Sequence, residues 1–214
     1  MKKFLFLFLL STVTIFIACT DESTSDLKVQ ENLEGLKNLD YPSLWEGVRP
    51  QNSARVGDKS VIFNYSTLNE LRDSCSIFTK RLVDDLRIDM QSISGCTRAI
   101  AQFESYNGKV QIKKFSFINE NAGVILQSYT YNSSTNGYDT VYNQTAPNSD
   151  LGECPTGWST LAVCPNFLSA TDFASCMGDA QQSFYNTNLN AVGDCAQIQV
   201  SIGTTALTMC GRTC

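Results

Sequence analysis

Catalysis by this chain would have to draw on carboxylates, because the sequence contains no histidine. That removes Ser-His-Asp and Cys-His nucleophile systems and every His-ligated zinc site. It also removes the one side chain that titrates near neutrality without perturbation. Asp84, Asp85 and Asp89 cluster on one stretch of helical periodicity. Adjacent helix positions lie about 100° apart around the axis, so Asp84 and Asp85 do not converge on one atom. Lys80 and Arg81 stand four residues before them as partners, and a solvated helix face accounts for the group better than an acid/base pair. Glu104, Glu120, Asp139 and Asp172 are isolated in sequence. No phosphate-cradling glycine loop and no calcium-loop pattern occurs, so neither a cofactor nor a metal is expected.

The nine cysteines are an odd set. If Cys19 is set aside, eight remain: Cys75, Cys96, Cys154, Cys164, Cys176, Cys195, Cys210 and Cys214. An even set in an exported chain reads as a disulfide framework of up to four bridges. The halves echo each other, with Ser74-Cys75 answered by Ser175-Cys176 and Gly95-Cys96 by Gly193-Asp194-Cys195. A straight helix from Cys75 to Ile93 would span roughly 27 Å, far beyond the Cα separation of about 7 Å that a disulfide tolerates. Cys75–Cys96 is therefore disfavoured. Cys154–Cys164 and Cys176–Cys195 close accessible loops, which leaves Cys75 and Cys96 to meet Cys210 and Cys214.

Aromatic residues supply the other candidate surface. Tyr129 and Tyr131 share one strand face, as do Tyr138 and Tyr142 on the next strand. If these strands pair, the four rings form one patch, with Trp158 as a further member. Such patches suit sugar rings and protein partners, although cross-strand packing against a core produces the same pattern.

Positioning these residues requires an α+β fold. Ser60–Tyr65 reads as a short strand. Thr67 and Glu70 make a capping box, and Leu68, Leu71, Cys75, Phe78, Leu82, Leu86, Met90 and Ile93 follow at three- and four-residue steps, the pattern of a long amphipathic helix ended by Gly95. Strands 98–106 and 110–118 flank Asn107-Gly108, a type I′ hairpin signal. Alternation breaks at Lys113-Lys114, which predicts a bulge or twist. Strands 123–131 and 138–144 complete an antiparallel meander on which the helix would pack. Beyond the loop 146–153, the disulfide-rich C-terminal region reads as a helix capped by Thr171 or Ser169, then a hairpin turning at Gly203-Thr204.

The chain begins with Lys2 and Lys3, then Phe4 to Ala18 without a charge, closed by Phe16-Ile17-Ala18-Cys19. This resembles a bacterial lipoprotein signal, in which a small residue precedes a cysteine that is lipidated and becomes the first mature residue. The resemblance implies a signal peptide over 1–18, acylation of Cys19, and the bilayer as a partner through that lipid. Residues 19–40 read as an acidic tether, with a short helix at Asp26–Leu39 ended by Tyr41-Pro42; 41–145 as helix plus sheet; and 146–214 as the disulfide-rich subdomain, or one domain with it. Thr20 and the acids that follow favour the outer membrane and its surface. Loss of Lys2 and Lys3 takes the net charge from −5 to −7, and Arg212 is the only basic residue after Lys114, so a basic nucleic-acid footprint is absent. The leading functional expectation is a non-catalytic binding module for an extracellular glycan or protein. An envelope inhibitor or immunity-type lipoprotein is the alternative, and a carboxylate-based hydrolase comes last.

Overall fold

The computed structural model describes residues 61–135, 137–147, 154–166 and 168–214. The segments read as signal peptide and acidic tether, Cys19, and the short helix expected at Asp26–Leu39 lie outside the described residues.

The fold is α+β: the described residues form two helices and an eight-stranded antiparallel sheet. The order is β1 (Val61–Asn64), α1 (Leu68–Ser92), β2 (Arg98–Tyr106), β3 (Lys109–Asn119), β4 (Val124–Asn132), β5 (Gly137–Thr145), β6 (Ser159–Pro165), α2 (Ala170–Asn188), β7 (Ala196–Ile202) and β8 (Ala206–Thr213). In space the strands run β5-β4-β3-β2-β7-β8-β6, and β1 pairs with β3. The meander β2 to β5 is present. The C-terminal strands do not form a sheet of their own: β7 pairs with β2, so both parts of the chain share one sheet.

Local chemistry explains the element ends. Thr67 accepts from Glu70 N–H, and the Glu70 carboxylate accepts from the Thr67 and Ser66 N–H groups. Those bonds, led by Ser66, hold the Glu70 carboxyl below its usual range. Ser169, not Thr171, caps α2 by accepting from Asp172 N–H. Asn107 and Gly108 have φ of 50° and 76°, the left-handed pair that a type I′ turn requires. At the anticipated irregularity, Gln102 opposes Lys114 while Phe103 opposes Ile112, so Lys113 is the extra, bulged residue.

Strand β6 had no counterpart in the sequence reading. Its pairing with β8 exposes a repeat. In β1-α1-β2-β3 and in β6-α2-β7-β8, the first and second strands both pair with the third, and the two second strands pair with each other. Tyr65 N–H donates to Gly108 O at 2.8 Å, and Asn166 N–H donates to Thr205 O at 2.9 Å, in matching places. Leu71, Cys75, Thr79 and Val83 of α1 match Phe173, Met177, Gln181 and Tyr185 of α2, and all eight are buried. Thr79 donates to Gln181 at 3.1 Å, and Gln102 donates to Gln199 at 2.7 Å. Residues nearest a pseudo-twofold axis meet their own equivalents in this way.

Both helices lie on one sheet face. α1 packs on β2, β7 and α2, and α2 packs on β6 and β8. The inward residues Ala99, Ala101, Phe103, Ile198, Val200, Ile202, Leu207 and Met209 join Leu71, Phe78, Leu82, Phe173, Met177 and Tyr185 in the main core.

The disulfide map differs from the expected one. The bridges are Cys154–Cys210, Cys164–Cys176 and Cys195–Cys214, with Cα separations of 5.7, 6.1 and 5.3 Å. Cys75 and Cys96 are unpaired, so the expectation that they bind Cys210 and Cys214 fails. Register explains one bridge: β7 and β8 place Ala196 opposite Thr213, which brings Cys195 against Cys214. Geometry explains another. Twelve residues of α2 separate Cys176 from Asn188 and carry the chain about 18 Å from Cys176 before it reaches Cys195, whereas α2 packs on β6, which carries Cys164. The repeat also matches Cys75 with Met177, not Cys176, so the cysteine echo was a misleading guide to pairing. Loop-closure entropy gives the separations of 12, 19 and 56 residues stabilisations of about 3 to 4 kcal/mol each.

This map predicts the thiol count. Of the eight cysteines after Cys19, two should alkylate once the protein is denatured without reductant. In the native state Cys75 should resist alkylation, because it is fully buried and burial pushes its thiol up to about 12. Quantitative alkylation read by mass spectrometry checks this; no thiol, or four, in the denatured unreduced protein would contradict the map.

Candidate functional site

Among the described residues no helix packs on the second face of the sheet, and its outward residues are largely polar. Alternation along the strands places Arg98, Gln102 and Glu104 of β2, Gln197, Gln199 and Ser201 of β7, and Lys114 and Ser116 of β3 on this side. Several are buried, including Ser116, Ser128, Gln199, Ser201 and Thr208. Buried polar groups require hydrogen-bond partners, and cross-strand pairs supply them. Besides the Gln102–Gln199 pair, Ser116 and Ser128 share a bond of 2.7 Å. Arg98 bonds Glu120 at 2.6 Å and Ser201 at 2.6 Å. A chain of contacts crosses four strands: Arg212 donates to Gln197 at 2.7 Å, Gln197 donates to Glu104 at 2.7 Å, and Lys113 pairs with Glu104 at 3.0 Å.

The β5–β6 connection is tied to this face. β5 lies at one edge of the sheet and β6 at the other. Ala146 joins Ile100, Ile118 and Ile125 in a small second core. Pro155 sits beside Ile100, Gln102 and Gln199, and Cys154 is bridged to Cys210 of β8.

A groove of about 470 Å³ opens next to Ala146, lined by Lys114, Ile125, Ser128, Thr130, Val141, Gln144, Thr145 and Pro147. A neighbouring hollow of about 120 Å³ shares Lys114 and adds Gln102, Ser116 and Gln199. The described lining offers hydroxyls, amides and one ammonium against a few aliphatic groups, and it contains no carboxylate. The arrangement can hold a neutral or anionic polar molecule by hydrogen bonds. Sequence reading did not find it. Its lining comes from three consecutive strands and the segment after β5, and alternation alone could not show which face the helices leave open.

The tyrosines take a different position. Tyr129, Tyr131, Tyr138 and Tyr142 do share one face of the β4–β5 hairpin, with Tyr131 directly opposite Tyr138. For Tyr129 and Tyr138 it is the core side. Tyr129 is 2% exposed and stacks on Phe115 at 4.5 Å. Tyr138 donates to Ile112 O at 3.2 Å and sets its ring edge to Phe115 at 5.9 Å; burial raises its phenol above the usual range. Tyr131 is half-buried, 5.7 Å from Tyr138 and under the Lys113 ammonium. Tyr142 is 45% exposed. Trp158 is not their neighbour: it precedes β6 at the opposite edge of the sheet, under the Arg212 guanidinium.

The acids also separate. Asp84 is exposed, Asp85 half-buried and Asp89 buried. Asp172 accepts from Ser169 at the start of α2. Asp139 accepts from Asn132 at 3.0 Å. The Glu104 carboxylate and the sulfurs of Cys195 and Cys214 lie within 4.8 Å of one another, but the sulfurs are bonded together and offer no thiolate to a metal. The chain matches no protein-family model, no curated protein and no solved structure.

The tyrosines can be sorted by substitution. Tyr129→Ser should destabilise the fold by about 3 kcal/mol or more, as large-to-small core changes do. Tyr142→Ser should change stability by about 0.5 kcal/mol or less. Denaturant unfolding of both variants checks this; equal losses would contradict the burial described.

Proposed function

We propose that this chain is an envelope lipoprotein, anchored through acylated Cys19, that uses the helix-free face of its sheet to bind an extracellular glycan without catalysis. The observation that carries the reading is the groove: hydroxyls and amides of Ser128, Thr130, Gln144 and Thr145 line it together with the Lys114 ammonium and the aliphatic Ile125 and Val141. Sugar hydroxyls present mixed donors and acceptors, and side-chain hydroxyls and amides can act as both. Absence of histidine and a carboxylate-free lining among the described residues suit binding better than hydrolysis. The three bridges suit an exported chain. In this reading α1 serves as the long amphipathic helix that stiffens the sheet from behind.

Thr130 and Gln144 are exposed, so Thr130→Ala/Gln144→Ala should leave the thermal midpoint unchanged while removing hydrogen bonds to the ligand. Two such bonds are worth about tenfold in affinity. The test is a glycan array with the purified full chain, followed by calorimetry on the best ligand with wild type and variant. The expected result is a defined glycan ligand and a loss of about tenfold. An array without a ligand, or unchanged affinity in a folded variant, would contradict the proposal.

A further inference from the structure

The two edges of the sheet are treated differently. Sheet edges expose unpaired N–H and C=O groups, and proteins blunt them with proline, lysine, bulges or covering elements. The β6 edge has several such devices. Pro165 lacks a donor, Leu161 is a bulged residue between Thr160 and Ala162, and Cys164 is bridged to α2. The β5 edge, Gly137–Thr145, contains no proline, lysine or arginine. Among the described residues no strand pairs with its outer side, and its residues from Asp139 onward are exposed. Only near its end does a left-handed residue, Asn143 with φ of 49°, interrupt it. That leaves six regular residues, Gly137 to Tyr142.

We propose that β5 is a dimerisation edge that pairs antiparallel with β5 of a second copy, centred on Thr140, to continue the sheet across both molecules. The register follows from symmetry and charge. Residues facing each other across a two-fold must point to the same side of the sheet, so the centre falls on a residue. Centred on Thr140, Tyr138 faces Tyr142 of the other copy, and Asp139, the only charge in β5, faces Val141. Aromatic cross-strand pairs are favourable. A slip by one register step would set Asp139 against its own copy, and like charges directly opposed are unfavourable. A slip the other way, centred on Val141, would replace the two Tyr138–Tyr142 pairs by Tyr142 against Thr140, so charge and aromatic pairing together favour the Thr140 register. The inference does not depend on what the groove binds.

The register can be tested with charge. Val141 is 38% exposed, so substitutions there spare the core. By symmetry Val141→Asp creates two like-charge contacts with Asp139, and Val141→Lys creates two opposite-charge contacts. Sedimentation of the full chain in mild detergent over a range of concentrations gives the dimer constant, and thermal melts confirm folding. The expected result is a wild-type dimer, weakened about fivefold by Val141→Asp and strengthened by Val141→Lys. Asp139→Lys/Val141→Asp should return it towards wild type. If Val141→Asp fails to fold, Val141→Lys must still tighten the dimer. A monomer at every concentration, or equal effects of the two substitutions, would overturn the proposal.

Discussion

The antiparallel pairing of β2 with β7 is the constraint from which the rest of the structure follows. It runs from Ala99 opposite Ile202 to Ser105 opposite Ala196. Each of these strands belongs to a unit whose remaining strands pair within it. Three or more strands with one covered face can stand alone, while isolated hairpins cannot. Joining the units gives an eight-stranded sheet with room for two helices side by side. Small residues at the join, Ala99, Ala101 and Ala196, are fully buried and leave space for the bulk of Phe78, Phe103 and Tyr185. Between the helices, the buried bond from Thr79 to Gln181 fixes their registration. A polar pair there has a specific geometry that apolar packing lacks, and its desolvation cost is met because the groups satisfy one another.

The same pairing sets both described helices on one face of the sheet. Two helices cover one side, and the other must solve the problem of polar groups partly withdrawn from water. It does so with cross-strand pairs, Gln102–Gln199, Ser116–Ser128 and Arg98–Ser201, and the Cys154–Cys210 bridge ties the residues before β6 to β8. The groove lies beside Ala146 and Pro147, the residues that follow β5. A polar sheet face gains less from burial than an apolar one, and reinforcement by bridges is concentrated in the second unit, where all six bonded cysteines lie.

Local features were legible in the sequence because local chemistry decides them. The Thr67–Glu70 capping box, the Asn107-Gly108 turn and the break at Lys113 each depend on a few adjacent residues, and each is found. Pairing between distant segments was not legible. β6 is a short run interrupted by Cys164-Pro165, and its strand character comes from β8 beside it. Cys195–Cys214 follows from the β7–β8 register, which a reader of Gly203-Thr204 could have extended outward to the chain end. Cys75 sits on the α1 stripe as expected, yet it is buried beside the Tyr185 hydroxyl at 3.5 Å, where it serves the core. The groove needed the β3-β4-β5 register and the side of the sheet on which α1 and α2 pack.

Native-state hydrogen exchange on the full chain tests that central pairing most directly. If β2 and β7 join the two units into one cooperative sheet, their amides should be the slowest in the molecule and should exchange only through global unfolding, with one opening free energy shared by both units. Two separate opening energies, one for β2 to β5 and another for β6 to β8, with β2 and β7 no better protected than the edges, would contradict it.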